Sequence, residues 1–314
     1  MEWRAWIEEN LPSPEDWLIV APQHSAMAGV DTAASIRALF PAHYLHKFLA
    51  EGIRPDARAF GESRRTACTA GIISSADGSA SVQVGNTSVV AGVQLSAFTP
   101  PILGSAAGRL VVVFDMGQSG SSNGAGRPED QALAISDFVT RTLRQTRVLD
   151  EDELIIKQGA AAWSVTLTIT CLNCDGNILD AVLLVAVAAL RDTKIPAVEL
   201  ADSGVVVECD KPAKPLTVKA FPVCLTLALF ENIEGGSTDM VVDPTEEEEK
   251  LSQATITVIV VHSATGNWKA SAANAPIMVH KAGGLPVTSA CLEEAIQCAR
   301  ERSLGTMTML FATD

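Results

Sequence analysis

The segment from Leu179 to Leu190 constrains the fold more than any other part of the chain. It reads LDAVLLVAVAAL, in which Asp180 is the one polar residue. Such a composition predicts a helix that is apolar around its whole circumference, and a helix of this kind has to be buried on nearly all sides. With 314 residues, 47% of them hydrophobic, the chain can supply the surrounding layers from one large domain or two modest ones.

Alternating apolar residues predict strands before and after this helix. Between Ala67 and Leu95 the alternation breaks at Asp77-Gly78 and at Gly85-Asn86-Thr87, which predicts three consecutive antiparallel strands. Further strands are predicted at 109–114, 161–171, 205–208, 224–230, 240–242 and 255–262. Further helices are predicted at 40–51, from Pro128 to about Arg147, and from Ser289 to about Ser303.

The similar order of elements before and after Pro196 predicts an α+β fold of two pseudo-repeated βαβ-type halves, with mixed sheets and packed helices. We place an N-terminal extension at 1–39, a first half at 40–200 and a second half at 201–314.

Charge and composition exclude several classes of protein. A formal net charge of −14 repels a phosphate backbone, so the isolated chain is expected to bind RNA weakly. No apolar run reaches the roughly 20 residues of a membrane span, and the acidic N-terminus lacks the pattern of a signal peptide, so we expect an intracellular protein with no membrane partner. Seven cysteines without dense spacing favour a reducing compartment.

Three groups of residues have the composition of a metal site but not its pattern. Cys171 and Cys174 form a lone CxxC pair, and His43 and His46 lie one helical turn apart without a third ligand. The glutamates at 246–249 are consecutive, so they point in different directions and are expected to form a solvated turn. We therefore expect no metal and no cofactor, with the two cysteines acting as small apolar residues of a strand.

The Gly/Ser-rich segment from Gly117 to Gly126 lacks the GxxxxGK[ST] spacing of a phosphate-binding loop and is predicted to be a mobile loop. This argues against a free-standing small-molecule enzyme of the GHMP-like or S5-like type.

Four segments resemble motifs of the RNase PH-type subunits of the eukaryotic RNA exosome. They are RPDAR at 54–58 followed by Glu62 and Arg64, GNTSVVA at 85–91, DGNILDA at 175–181 and VVDPTEEEE at 241–249. The first differs from the family's RPDGR at Ala57, and the third is similar to the DGN(I/L)LDA of inactive members. The resemblance covers about residues 40–305 and implies the RNase PH fold, of the ribosomal protein S5 domain 2-like type.

The resemblance also implies that the catalytic positions are degenerate. Active members carry an arginine at the start of the long helix, where this sequence has Gln131 by counting back from Arg141 and Arg144. Their DGGTRTA motif supplies a Thr and an Arg that hold phosphate, and Ile178 and Leu179 stand there instead. The catalytic aspartate is replaced by Gln253 or Ala254, depending on a one-residue gap. No phosphorolysis is expected, because each loss removes transition-state stabilisation.

The function that this resemblance implies is structural. The chain is expected to form a heterohexameric ring with other RNase PH-like exosome subunits, beneath S1/KH cap proteins, and to thread single-stranded RNA to associated nucleases for 3′–5′ processing and degradation. The implied compartments are the nucleus, nucleolus and cytoplasm. The alternative is a phosphate-dependent 3′–5′ exoribonuclease.

Four arginines are candidates for RNA contact: Arg58, Arg64, Arg65 and Arg109. For Arg58 and Arg64 the stronger interpretation is an ion pair with a carboxylate of the motif, such as Glu62 or Asp56.

Overall fold

The protein is described by a computed structural model, which covers residues 37–100, 108–117, 128–201, 204–207, 212–231, 238–264, 275–281 and 283–312. Two compact units are present, Met1–Phe60 with Asn232–Gly235, and Gly61–Glu231 with Gly236–Asp314. The predicted mobile loop at 117–126, apart from Gly117, and nearly all of the predicted extension at 1–39 lie outside the described residues.

In the first unit, the predicted short amphipathic helix is confirmed as α1 (Pro41–Ala50), which begins with a proline and buries Leu45, Phe48 and Leu49. It ends before Gly52, whose φ of +72° is a left-handed conformation that glycine adopts without strain. His43 is exposed and His46 is partly buried on this helix.

The first sheet of the second unit contains the predicted three consecutive antiparallel strands. They are β1 (Thr66–Ala70), β2 (Gly78–Val84) and β3 (Thr87–Phe98), and β3 continues into an antiparallel pair with β6 (Ala161–Asn173). At the edge, β4 (Arg109–Asp115) pairs with β6 in parallel, and β5 (Ile155–Lys157) pairs with β6 antiparallel. The segment between β4 and β6 contains helix α2 (Pro128–Gln145) and the 3-10 turn Glu151–Leu154. The parallel strands β4 and β6 and the helix between them therefore form a β-α-β unit.

Helix α3 (Ile178–Asp192) is the apolar helix that the sequence predicts. All ten residues from Ala181 to Leu190 are buried. The helix contacts β2 and β3 of the first sheet on one side and a strand of the second sheet, β11 (Ala220–Glu231), on the other. Burial on nearly all sides is therefore confirmed, because two sheets cover a helix that has no polar face.

After α3 come two short antiparallel pairs and then the second sheet. The short strands are β7 (Lys194–Ile195) with β10 (Lys214–Pro215), and β8 (Val198–Ala201) with β9 (Gly204–Val207). The second sheet has the order β12-β11-β13-β14, with every pair antiparallel. Its strands are β11 (Ala220–Glu231), β12 (Thr238–Val242), β13 (Ala254–Ser263) and β14 (Ile277–Lys281).

Helix α4 (Glu246–Leu251) and helix α5 (Ser289–Ala312) complete the second half. No helix in the described ranges is long and apolar enough to cross a membrane.

Two sequence predictions are wrong in this half. The acidic run is a helix and not a solvated turn, because Thr245 and Glu248 form a capping box at its N-terminus. The last helix continues past Ser303 to Ala312, burying Met307 and Leu310.

The α+β class is confirmed, with a mixed first sheet. Among the described residues, parallel strand pairing occurs in the first half alone, between β4 and β6. The predicted domain boundary between residues 200 and 201 stays a prediction.

Candidate functional site

A cleft of about 470 Å³ opens where α2, the start of α3 and α4 approach one another, a volume within the range of small-ligand sites. Its apolar lining consists of Met116, Ala134, Ile135, Phe138, Ile178 and Leu179. Its polar lining consists of Gln131, Cys174, Glu246, Glu249, Lys250 and His280. Three of the predicted degenerate positions, Gln131, Ile178 and Leu179, are thus brought together in one cavity by two different helices.

The chemistry of these three residues is not that of a phosphate site. Gln131 is an exposed, uncharged residue in the first turns of α2, and Ile178 and Leu179 are the partly buried first residues of α3. A phosphate at the start of α3 would therefore meet two aliphatic side chains, which donate no hydrogen bond and carry no charge.

The two alternative positions that the resemblance implies for the catalytic aspartate lie elsewhere. Gln253 is exposed, and its Oε1 accepts a hydrogen bond of 3.1 Å from the backbone N–H of Glu231. Ala254 is buried as the first residue of β13. Neither residue lines the cleft.

The turn Asp175-Gly176-Asn177, which places Ile178 and Leu179, is held by Arg64. The Arg64 Nη2 and Nε atoms donate to Asp243 Oδ1 at 2.8 Å and Oδ2 at 3.0 Å, and its Nη1 donates to the Asp175 carbonyl at 2.6 Å. Burial opposes ionisation of Asp243, but the Arg64 hydrogen bonds and charge still hold the pKa of Asp243 below its ordinary value.

These contacts decide the role of Arg64 within the motif. Its partners are Asp243 and Asp175, so the expected ion pair with Glu62 or Asp56 is wrong. A long-range contact, 179 residues apart in sequence, replaced the expected local one. The expected pair of Arg58 with Asp56 is confirmed at 2.6 Å between Nε and Oδ2. Because the Arg64 guanidinium is buried and bonded, it is poorly placed to bind RNA, whereas Arg65 is exposed.

Asp180 is a partly buried site residue that sequence reasoning missed. Its carboxylate accepts hydrogen bonds from Asn177 Nδ2 at 2.8 Å, from the Thr226 backbone N–H at 3.1 Å and from Thr226 Oγ1 at 2.9 Å. Burial raises the pKa of Asp180. Thr226 lies on β11, so this residue ties α3 to the second sheet. Its position as the one polar residue in LDAVLLVAVAAL is the signal that could have identified it.

Helix α4 divides its four glutamates among different tasks. Glu248 is buried and caps the helix together with Thr245, and Glu246 pairs with Lys250 at 2.6 Å. Glu249 Oε1 accepts a hydrogen bond of 2.9 Å from the backbone N–H of Asn177. Burial raises the pKa of Glu249 to about 7, against the opposing effect of that hydrogen bond. Glu247 is exposed.

The two cysteines of the CxxC pair occupy different environments. Cys171 is buried in β6, as expected for an apolar strand residue, whereas Cys174 follows the strand and lines the cleft. Their mutual hydrogen bond lowers the pKa of Cys174 to about 7 and raises that of Cys171. Among the described residues, no group of three or more His, Cys, Asp or Glu side chains is arranged to hold a metal ion.

Arg109 is the remaining candidate for RNA contact. It is exposed at the start of β4, its Nε donates to Ser164 Oγ at 2.8 Å, and its guanidinium lies 4.5 Å from the centre of the Phe98 ring. One face of this guanidinium is therefore occupied, and the residue remains exposed.

Comparison with known proteins gives matches over most of the chain. Residues 62–196 match domain 1 of the 3′ exoribonuclease family (RNase PH), and residues 220–302 match domain 2. The exosome complex component Rrp42 of Methanopyrus kandleri is 34% identical over 213 residues, which cover 68% of this chain and 77% of that protein. The Rrp42 component of Methanosarcina mazei is 31% identical over 261 residues, covering 83% and 89% respectively.

Solved structures match as well. The Archaeoglobus fulgidus exosome with RNA bound to the active site contains a chain that aligns with a TM-score of 0.70 at 27% identity, covering 88% of this chain and 100% of that one. A chain of an archaeal exosome core aligns with a TM-score of 0.68 at 26% identity, covering 88% and 98%.

Proposed function

The chain belongs to the 3′ exoribonuclease (RNase PH) family, and from this premise we propose that it is a non-catalytic subunit of the RNase PH-like ring of an RNA exosome. The relatives described above are exosome components, and the matching solved chains come from exosome cores. Those likenesses support ring membership, and the chemistry of the cleft supports the absence of catalysis.

The lining of the cleft is the observation that carries the proposal. Phosphorolysis needs cations to hold inorganic phosphate and a carboxylate near the scissile diester. Among the described residues that line the cleft, Lys250 is the one lysine or arginine, and it is paired with Glu246. Ile178 and Leu179 stand where the resemblance implies Thr and Arg. An anion entering this cleft would therefore meet an apolar surface and a carboxylate, Glu249.

The partners follow from ring membership. We propose that the ring contains other RNase PH-like subunits, carries S1/KH cap proteins, and passes single-stranded RNA to associated nucleases. A eukaryotic exosome in the nucleus, nucleolus and cytoplasm is part of the same proposal. The apolar side chains exposed on edge strand β4, Val111 at 38% and Val113 at 46%, are consistent with a chain that has protein neighbours.

Among the candidates for RNA contact, the exposed Arg65 and Arg109 are favoured over Arg58 and the buried Arg64. Loss of RNA protection by the assembled ring after Arg109→Gln would support a contact at this position. Protection equal to that of the unmutated ring would remove Arg109 from the RNA path.

Native mass spectrometry of the chain isolated from cells, together with a phosphorolysis assay on single-stranded RNA, tests the proposal. Co-purification with RNase PH-like and S1-domain proteins, without phosphate-dependent release of nucleoside diphosphates by the isolated chain, is the expected result. A monomer or homo-oligomer that degrades RNA with phosphate would establish the alternative, a phosphate-dependent 3′–5′ exoribonuclease, which the family description favours.

A further inference from the structure

The cleft does more than lack phosphate ligands. It contains one carboxylate for which no lysine or arginine partner is found among the described residues. Glu246 is neutralised by Lys250. Glu249 accepts one hydrogen bond, from the Asn177 backbone N–H, and no salt bridge to it is found among the described residues. The nearby Arg64 is already bonded to Asp243 and paired with Asp175. When Glu249 is ionised, it is thus a carboxylate of the lining that has no lysine or arginine paired with it among the described residues.

The environment of Glu249 disfavours the ionised form of its carboxyl group. The carboxylate is partly buried, and its pKa is raised to about 7 by burial, with further contributions from Cys174 and Asp180. A partly buried carboxylate is stabilised by a cation that donates hydrogen bonds to it, since such charge-assisted bonds are about twice as strong as neutral ones. The cleft therefore offers a counter-charge position to a cation of matching shape.

The walls of the cleft specify that shape. Met116, Ile135, Phe138 and Leu179 form an apolar surface, and the ring of His280 lies 5.2 Å from that of Phe138. A methylene stem would bury apolar area against these side chains, and a weakly hydrated planar cation loses less on leaving water than an ammonium does. A side chain with an apolar stem and a terminal guanidinium therefore matches both the apolar walls and the Glu249 carboxylate.

We propose that this cleft is a binding site for an arginine side chain presented by a partner polypeptide. The guanidinium would donate to the Glu249 carboxylate, and the stem would lie along the apolar wall. This goes beyond ring membership, because it assigns a ligand to the cleft itself. The proposed site is formed by residues of one chain, so the proposal does not depend on which subunits flank that chain. Inorganic phosphate and an RNA 3′ end are not the expected occupants, because both would place negative charge beside an ionised Glu249 with no unpaired lysine or arginine in the described lining to offset it.

Ligand-observed NMR titration of the full chain in its purified complex tests this inference with two peptides, acetyl-Gly-Arg-Leu-amide and its citrulline counterpart. Citrulline has nearly the shape of arginine but no charge. The arginine peptide is expected to bind about tenfold more tightly, as a charge-assisted hydrogen bond of about 1.5 kcal/mol would give. The Glu249→Gln variant is expected to lose this preference, and Glu247→Gln, which removes the same charge from an exposed position of the same helix, is expected to keep it.

A second variant keeps the inference testable if Glu249→Gln does not assemble. Lys250→Gln removes the cation that pairs with Glu246 at the cleft, so the preference for arginine is expected to rise about threefold. Equal binding of the two peptides, or an arginine preference that Glu249→Gln leaves unchanged, would overturn the proposal. Displacement of the arginine peptide by millimolar inorganic phosphate would overturn it as well. A phosphorolysis assay of the same preparation reports separately on the proposed lack of catalysis.

Discussion

The turn Asp175-Gly176-Asn177 has two sides that differ in how their charges are compensated. Behind it, the buried Arg64 and Asp243 are joined by paired hydrogen bonds, and Asp180 accepts three hydrogen bonds from Asn177 and Thr226. In front of it, the cleft has aliphatic side chains at the start of α3 and a carboxylate, Glu249, that accepts one hydrogen bond. The same three-residue turn thus separates a densely hydrogen-bonded polar network from a cleft whose Glu249 carboxylate accepts a single hydrogen bond.

This difference indicates which residues around the turn are needed for folding. The network behind the turn connects the segment before β1, the turn before α3, and the end of β12. Breaking it would unpair buried groups, so the chain keeps it whether or not catalysis occurs. The cleft in front contributes less to folding, and its residues can change without that penalty.

The largest expected effect is from Asp243→Ala, which leaves the buried Arg64 guanidinium without its main partner. The free energy of unfolding should fall by about 3–5 kcal/mol, the usual cost of an unpaired buried charge. Asp243 also has a φ of +50°, a conformation that alanine adopts less readily than aspartate. Urea denaturation of the purified protein measures this change.

The matched control is Asp137→Ala on α2, because it removes the carboxylate partner of Arg141 from a pair whose side chains are 64% and 57% exposed. A loss of about 1 kcal/mol or less is expected there. Equal losses for the two variants would contradict the contrast between a buried network and an exposed pair.

The next largest effect is the pH dependence that Glu249 gives to stability. Its pKa is raised from 4.5 to about 7 in the folded protein, so the folded state holds a proton that the unfolded state releases. Stability conferred by that proton is present below about pH 4.5 and is lost as the pH rises to about 7. Glu249→Gln should therefore be more stable than the unmutated chain at pH 8, by about 1–2 kcal/mol after allowance for partial exposure.

Other charged groups face Glu249 and have to be considered in reading that profile. They are Cys174, Asp180, Arg64, Glu246, Lys250 and His280. Because Glu247→Gln alters the overall charge equally, the difference between the two variants isolates Glu249. If their unfolding profiles have the same shape between pH 5 and 8, Glu249 is not the titrating group.

A smaller effect is expected from Thr245→Ala, which removes the capping box that starts α4. The Thr245 side chain accepts from the Glu248 backbone N–H, and the Glu248 side chain accepts in return from the Thr245 N–H at 2.8 Å. Loss of an N-cap costs about 1 kcal/mol, and Thr245→Ser should restore most of it. Because α4 carries Glu249, the alanine variant should also weaken binding of the arginine peptide. A serine variant as unstable as the alanine variant would argue against capping.

Local patterns were sufficient to predict much of the fold. Two patterns reflect burial directly: the apolar run at Leu179–Leu190 and the period-two alternation between Ala67 and Leu95. These elements could therefore be predicted without knowing which parts of the chain pack against them. The strand β14 and the four short strands β5, β7, β8 and β10 were missed. Each has five residues or fewer, and at that length, which β1, β9 and β12 share, a period is only weakly marked.

The site was predicted less completely, because its polar contacts join distant parts of the chain. Arg64 and Asp243 are 179 positions apart, and nothing local distinguishes this pair from the neighbouring Glu62 and Asp56. The helix α4 could have been found from Thr245 and Glu248, whose T-x-x-E spacing is a capping-box signal, but the run of glutamates was read as solvated. The positions predicted to be degenerate, Gln131, Ile178 and Leu179, do share one cleft, whereas Gln253 and Ala254 lie outside it.

The smallest expected change in stability is from Lys250→Gln, and it sharpens the comparison between the two sides of the turn. Lys250 and Glu246 form an exposed i,i+4 pair, which contributes about 0.3–0.5 kcal/mol to a helix. Urea denaturation should therefore barely detect this variant, although it removes from the cleft the lysine that pairs with Glu246. A loss of more than about 2 kcal/mol would mean that the charges in front of the turn are as tightly coupled to folding as the network behind it.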